Sequence, residues 1–370
     1  MKVYKKFSKI FLFMIVSFLL FHFFTWTFLT KQVRQNDKMI YKGDLTRKIY
    51  KVDSIFPRPS HFNPKNSDLP KHHISLQDWD GEKVDLITIG DSFSNGDTQG
   101  LNTFYQDYIA SYNNLRVLNI PRLFKAKGTF IDAFNYLEGI QILNNLGYLD
   151  KMKPKYILIE SIERYSVNRF AKELNFNAKD DKFFKSLKLS KRLHFEKSID
   201  SSLFSFLNLN NFKAIRNQIL LNFTDRKLIS HVYVEKLRKD FFTSKDKNSL
   251  LFLKEDVDNI RLITKDRIKI LNDNFNKLSE ILGKKGIKLY FMPVVDKYDL
   301  YSKYLINSDS YPKSYFFEYL RVLPKKYEFI DTKEILAKAL EKGEKDIFYS
   351  DDTHWSYKAS ELIFKKVKFD

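Results

Sequence analysis

The chain has 370 residues, 44% of them apolar, enough for a substantial core and too apolar for a disordered polymer. It contains no cysteine, which excludes disulfides, thiol catalysis and cysteine-ligated metals. Its net charge of +19 would steer phospholipid headgroups or an anionic polymer toward it, but Lys, Asn and Phe are abundant throughout and no basic block interleaves with aromatics, so nucleic acid is not expected as a partner.

In chain order, Lys2, Lys5, Lys6 and Lys9 precede an uncharged run, residues 10–30, rich in Phe, Leu and Ile and long enough to span a bilayer. The exit at residues 24–29 has no small-x-small cleavage site, so residues 1–30 read as a cytoplasmic n-region and a retained transmembrane anchor rather than a signal peptide. The leading lysines favour a cytoplasmic N-terminus with the body outside, although Lys31, Arg34 and Lys38 weaken the charge asymmetry. The expected localisation is therefore single-pass in the inner (cytoplasmic) membrane, with an extracytoplasmic or periplasmic domain. Residues 31–83, polar and broken by Pro57, Pro59, Pro64 and Pro70, read as a linker or stalk that wraps or leads into the domain and carries no chemistry. Its His61, His72 and His73 are expected to be solvated rather than metal-bound.

From residue 84 the pattern alternates as in a parallel α/β sheet. Strands are expected at 84–89, 115–120, 156–160, 287–292 and 327–331, and helices at 103–113, 130–146 and 264–283. In the last helix Ile268, Leu271, Phe275, Leu278 and Leu282 fall at helical spacing, the mark of a core face. Residues 168–262 interrupt the rhythm and read as a mostly helical insertion without a clear buried strand. The domain is thus taken as 84–370.

Two distant segments carry chemistry. Gly90-Asp91-Ser92-Phe93-Ser94 breaks the first strand with glycine, placing Ser92 at its carboxyl end, where open α/β sheets bind ligands. Asp351-Asp352-Thr353-His354-Trp355-Ser356 precedes a final helix at 357–365. A serine hydroxyl is too weak an acid to attack unaided, and a histidine oriented by a nearby carboxylate activates it. Either Asp351 or Asp352 is close enough to His354 in sequence to serve.

These segments resemble the SGNH (GDSL-type) hydrolase superfamily. The longer strings Gly90-Asp91-Ser92-Phe93-Ser94 and Asp352-Thr353-His354-Trp355 look most like its alginate O-acetyltransferase-like branch, with support from Gly128, the run 159–164 and the run 292–298. The resemblance implies a three-layer α/β/α domain, a Ser92 nucleophile, a His354 base and an acyl-enzyme intermediate. It also implies an esterase or O-acyltransferase acting on an exported polysaccharide beside a multi-pass membrane protein that supplies acetyl groups. Two departures stand out. The serine block precedes the Asp-x-His-Trp block, the reverse of the alginate enzymes, and no asparagine follows the third strand until Asn168. The oxyanion hole is accordingly assigned to the amides of Ser92 and Gly128, with Arg164 as the further donor. Lys297, Tyr298, Tyr301 and Trp355 are candidates for binding the sugar, Lys297 by pairing an acidic group. Glu160, Glu163 and Arg164 form either a substrate clamp or an internal salt bridge. Asp296 and Asp299 lack an accompanying histidine, and neither metal nor cofactor is expected. The expected function is O-acetyl transfer to an envelope polysaccharide; a carbohydrate O-acetylesterase with the same triad and a non-catalytic polysaccharide-binding assembly protein are the alternatives.

Overall fold

The computed structural model describes residues 2–27, 68–96, 102–120, 135–180, 231–244 and 247–370, together with scattered residues between 34 and 48 and between 206 and 219. Gly128, His61 and the start of the helix expected at 130–146 lie outside the described residues.

The first described element is helix α1, Lys2–Thr25, about 36 Å long at the α-helical rise and therefore able to cross a bilayer. Nearly all of its apolar side chains are exposed. Its C-terminal end is met by the insertion: Phe21 stacks on Phe212 at 4.9 Å, and the Asn211 amide reaches His22 Nδ1 at 2.8 Å.

The domain is built on a six-stranded sheet in which every pairing is parallel. Its strands are β1 (Ile74–Ser75), β2 (Leu86–Ile89), β3 (Val117–Ile120), β4 (Tyr156–Ile162), β5 (Lys288–Val294) and β6 (Glu328–Phe329), in the spatial order β6-β5-β4-β2-β3-β1. All five expected strands are present. Their near-continuous apolar text reflects burial on both faces, as in the fully buried Leu86, Ile87, Ile157, Leu158, Ile159, Phe291 and Met292. The sixth strand, β1, corrects the boundary placed at residue 84: the sheet edge already contains residues 74 and 75, with Ile74 opposite Leu118.

From β2 the chain steps outward to β3 and then returns to the other side with β4, β5 and β6. The reversal of direction beside β2 opens a crevice at the carboxyl ends of the strands, the general ligand position in such sheets. Ser92 is in the turn that leaves β2 at that point.

Helices α2 (Tyr105–Asn113), α6 (Thr332–Glu341) and α7 (Tyr357–Lys366) pack together, while α3 (Tyr136–Asn145), α4 (Glu163–Phe170) and α5 (Lys265–Gly283) form a second group. In α5 the five residues read from spacing are all fully buried. Each such burial contributes roughly 1.5–3 kcal/mol, so tertiary packing rather than propensity holds this helix. The side chain of Thr264 caps it by accepting from Arg267 N–H, and Ser356 caps α7 by accepting from Lys358 N–H.

The insertion differs from expectation. Val232–Lys236 and Ser249–Leu253 form an antiparallel pair, with Val234 opposite Leu251. Val232 and Leu253 close over Leu45, which is fully buried between them. A residue assigned to the stalk is therefore part of the domain.

Candidate active site

The turn after β2 exists because Gly90 has no side chain. A Cβ there would stand 2.2 Å from Glu160 Oε2 and 2.3 Å from Ser94 Oγ. Glu160 uses that space to accept hydrogen bonds from Asp91 N–H (3.0 Å) and Ser94 Oγ–H (2.8 Å). Burial, reinforced by the Asp91 charge, raises the Glu160 carboxyl well above the usual carboxylate range. Asp91 behaves oppositely. Burial alone would raise it, but the Arg169 guanidinium at 2.6 Å and Ile162 N–H outweigh burial and hold Asp91 at about 2. Asp91 thereby ties the turn that carries Ser92 to the end of β4, and its other oxygen accepts from Phe93 N–H. These side chains brace the turn from beneath, while Ser92 itself is half-exposed.

The second segment is a loop closed by an antiparallel bridge between Phe348 and Trp355. Its interior carbonyls converge on one ammonium group: Lys297 Nζ donates to Tyr349 O (2.7 Å), Ser350 O (2.9 Å) and Asp352 O (3.0 Å). All of that amine's donors are satisfied within the fold. Burial lowers Lys297 to about 8, against the opposing pull of Asp351 and Asp352.

Across 262 residues of sequence, His354 Nε2 lies 2.7 Å from Ser92 Oγ. On the far side of the ring, Nδ1 lies 2.6 Å from Asp352 Oδ1, which also accepts from His354 N–H at 2.9 Å. Burial works to raise the Asp352 carboxyl, but the His354 pairing prevails and lowers it, so it is an ionised acceptor. Nδ1 must then carry the proton, leaving Nε2 to accept from the Ser92 hydroxyl. Phe93 packs between His354 (4.7 Å) and Trp355 (5.0 Å, edge-on), an aromatic brace between the two loops. The relay is half-buried at the serine and closed at the carboxylate. That arrangement can withdraw a proton from Ser92 and return it to a leaving group.

Of the two aspartates left open by the sequence, Asp352 faces the imidazole; Asp351 Oδ2 instead accepts from Gly43 N–H at 3.0 Å. Other assignments require correction. The Arg164 guanidinium is ion-paired inside the fold with Asp296 and Asp256, the latter at 3.2 Å, so it is not available as an oxyanion donor. Tyr298, Tyr301 and Trp355 are each no more than 2% exposed and cannot present faces to a sugar. Lys297 is likewise buried and spent on loop carbonyls rather than an acidic substrate. The charges on the β4 exit form an internal network, not a clamp: Glu163 accepts from Asp296 N–H (3.0 Å) and from Ser314 Oγ–H. His73, expected in solvent, is half-buried with its side chain covered and paired with Asp107 at 2.6 Å, beside the exposed His72.

One participant had no sequence signal. Asp44, within the supposed stalk, accepts from Thr353 N–H and Thr353 Oγ1–H, both at 2.8 Å, and its own N–H donates to Asp352 Oδ2 at 3.1 Å. No motif or spacing could have connected residue 44 with residue 352. Among the described residues, Asp44, Asp352 and His354 are also the one group close enough to hold a cation, with facing atoms within 4.8 Å of one another. Here those atoms are engaged with Thr353, with each other and with Ser92.

No family, curated protein or solved structure matches the chain in comparison with known proteins.

Proposed function

We propose that the protein is a membrane-anchored O-acyltransferase of SGNH type that transfers an acyl group, in our reading acetyl, to an envelope polysaccharide. The observation that carries this reading is the Ser92–His354–Asp352 hydrogen-bond chain at 2.7 and 2.6 Å, standing where the sheet reverses direction. In the reaction, His354 Nε2 takes the Ser92 proton as Oγ attacks the carbonyl carbon of an acyl donor. Collapse of the tetrahedral intermediate expels the donor's alcohol or thiol, which receives that proton. A sugar hydroxyl then gives its proton to the same nitrogen and attacks the acyl-serine, and ester formation regenerates Ser92. The Ser92 amide is the oxyanion donor in this reading, and Gly128 the second.

The membrane assignment is supported by α1, whose length and exposed apolar surface suit a bilayer, with the lysines before it favouring a domain outside the cytoplasm. The three-layer α/β/α arrangement, the polysaccharide acceptor and a multi-pass acyl supplier belong to the same proposal. Hydrolysis in place of transfer would use identical residues, with water as the acceptor.

The test uses the full chain in detergent, an activated acetyl ester, a panel of envelope oligosaccharides and mass spectrometry. Acetylated sugar from wild type and none from Ser92→Ala is the expected result. Ser92-dependent acetate release with no sugar product would move the assignment to an esterase. Equal inertness of both proteins to the ester would remove the catalytic reading.

A further inference from the structure

The stretch between the apolar helix and the sheet touches the catalytic loop in a way that a passive tether does not require. Gly43, Asp44 and Leu45 lie along residues 351–353, exchanging hydrogen bonds in both directions. Gly43 N–H and Leu45 N–H donate to Asp351, at Oδ2 (3.0 Å) and at the backbone carbonyl (3.2 Å). Asp44 N–H donates to Asp352 Oδ2, and both Asp44 oxygens accept from Thr353. The approach is close enough to demand glycine: a Cβ on Gly43 would lie 2.1 Å from Asp351 O. Leu45 then anchors the stretch by burying completely against Val232 and Leu253 of the insertion's strand pair.

Asp352 has two oxygens to satisfy. Oδ1 serves His354 twice, and Oδ2 is turned toward Asp44 N–H. Partial rotation of the carboxylate about its Cβ–Cγ bond would swing Oδ1 out of line with Nδ1 and Oδ2 away from the Asp44 amide. The Asp44 amide opposes that rotation from one side while its carboxylate fixes Thr353, the residue between Asp352 and His354.

We infer that Asp44 is a positioning residue for the triad, supplied by the segment that follows the apolar helix, and that Asp352 and His354 hold their catalytic geometry only while this segment is seated on the loop. The inference rests on the serine-acyltransferase reading above and adds to it a requirement for residues 43–45. It also connects the site to the membrane-proximal part of the chain, since displacing the segment would slacken the loop without touching Ser92.

The charged and titratable groups facing Asp44 are Asp352, His354 and Lys297, with Asp351 on the adjoining residue. Burial, followed by the Asp352 charge, raises Asp44 to about 6, while His354 opposes the rise. An ionised Asp44 therefore favours the imidazolium, and removing its charge lowers the pH at which His354 becomes a base.

The test measures the second-order rate at which a fluorophosphonate labels Ser92 in the full-length chain, as a function of pH, for wild type, Ser92→Ala, Asp44→Ala and Asp44→Asn. Labelling needs the activated hydroxyl but no natural substrate. Asp44→Asn keeps an acceptor for Thr353 N–H and a partner for its hydroxyl; Asp44→Ala keeps neither. Asp44→Ala is expected to label about 100-fold more slowly, as for a misplacement of about 1 Å. Asp44→Asn should approach the wild-type plateau, with its acid limb moved to lower pH. A wild-type rate in Asp44→Ala overturns the inference while leaving the serine site intact. If thermal melting shows Asp44→Ala to be unfolded, Asp44→Asn decides: an acid limb superimposable on wild type overturns the inference. Absence of Ser92-dependent labelling in wild type would instead bring down the acyltransferase reading, and this inference with it.

Discussion

Ser92 and His354 were legible as residues because a nucleophile after a strand-ending glycine and a histidine beside carboxylates are chemical statements in themselves. Which aspartate serves was not legible, because Asp351 and Asp352 differ only in the direction in which the loop points them. The geometry predicts an asymmetric pair of variants. Asp352→Asn should lower Ser92-dependent ester turnover about 10⁴-fold, by permitting the wrong imidazole tautomer. Asp351→Asn, which keeps an acceptor for Gly43 N–H, should stay within about tenfold. Comparable losses from the two would contradict the assignment. Asp91 supports a second prediction, on stability. Its carboxyl is held at about 2, below its unfolded value, so its contribution is fully present above roughly pH 4 and is lost as the pH falls toward 2. The contribution is about 2 kcal/mol, and acid-unfolding midpoints compared for wild type and Asp91→Asn would show it as a weaker acid dependence in the variant.

Elements were read in proportion to how far their pattern repeats. The helix at Lys265–Gly283 shows five apolar residues in register and was placed to within a residue. The edge strand Ile74–Ser75 is two residues long and offers no period to detect. The pair Val232–Lys236 and Ser249–Leu253 was hidden by the Lys- and Phe-rich text around it, and its alternation is interrupted where it packs on Leu45. Loops carry the clearest consequences at this scale. Lys297→Met would remove the ammonium donor shared by three carbonyls of the 349–352 loop. A cost of roughly 1.5–3 kcal/mol is expected, as for the loss of hydrogen bonds to a charged group, measurable as a shift in the denaturant midpoint. Gly90→Ala would push Glu160 and Ser94 away from the nucleophile turn and should cost about 1–3 kcal/mol, together with much of the Ser92 reactivity. A Gly90→Ala protein with wild-type stability and labelling would show that the close packing beneath Ser92 is dispensable.

In the whole molecule, an apolar helix of 24 residues is joined to an α/β domain by a stretch whose residues 43–45 lie against the loop at 351–353. The full chain should remain with membranes through alkaline extraction, whereas deletion of residues 2–27 should release it; recovery of that deletion with extracted membranes would point to another attachment. Length, periodicity and the glycine and histidine punctuation decided the α/β class, the long helices, the five principal strands and the two chemistry-bearing segments, since each is written in neighbours a few residues apart. The pairing of Ser92 with His354, the choice of Asp352, the arrival of Asp44, the burial of Lys297, Tyr298, Tyr301 and Trp355 and the ion-pairing of Arg164 were decided only in three dimensions. Burial and hydrogen-bond partnership between residues hundreds of positions apart depend on how the sheet orders its strands and aims its loops, and no local pattern encodes that.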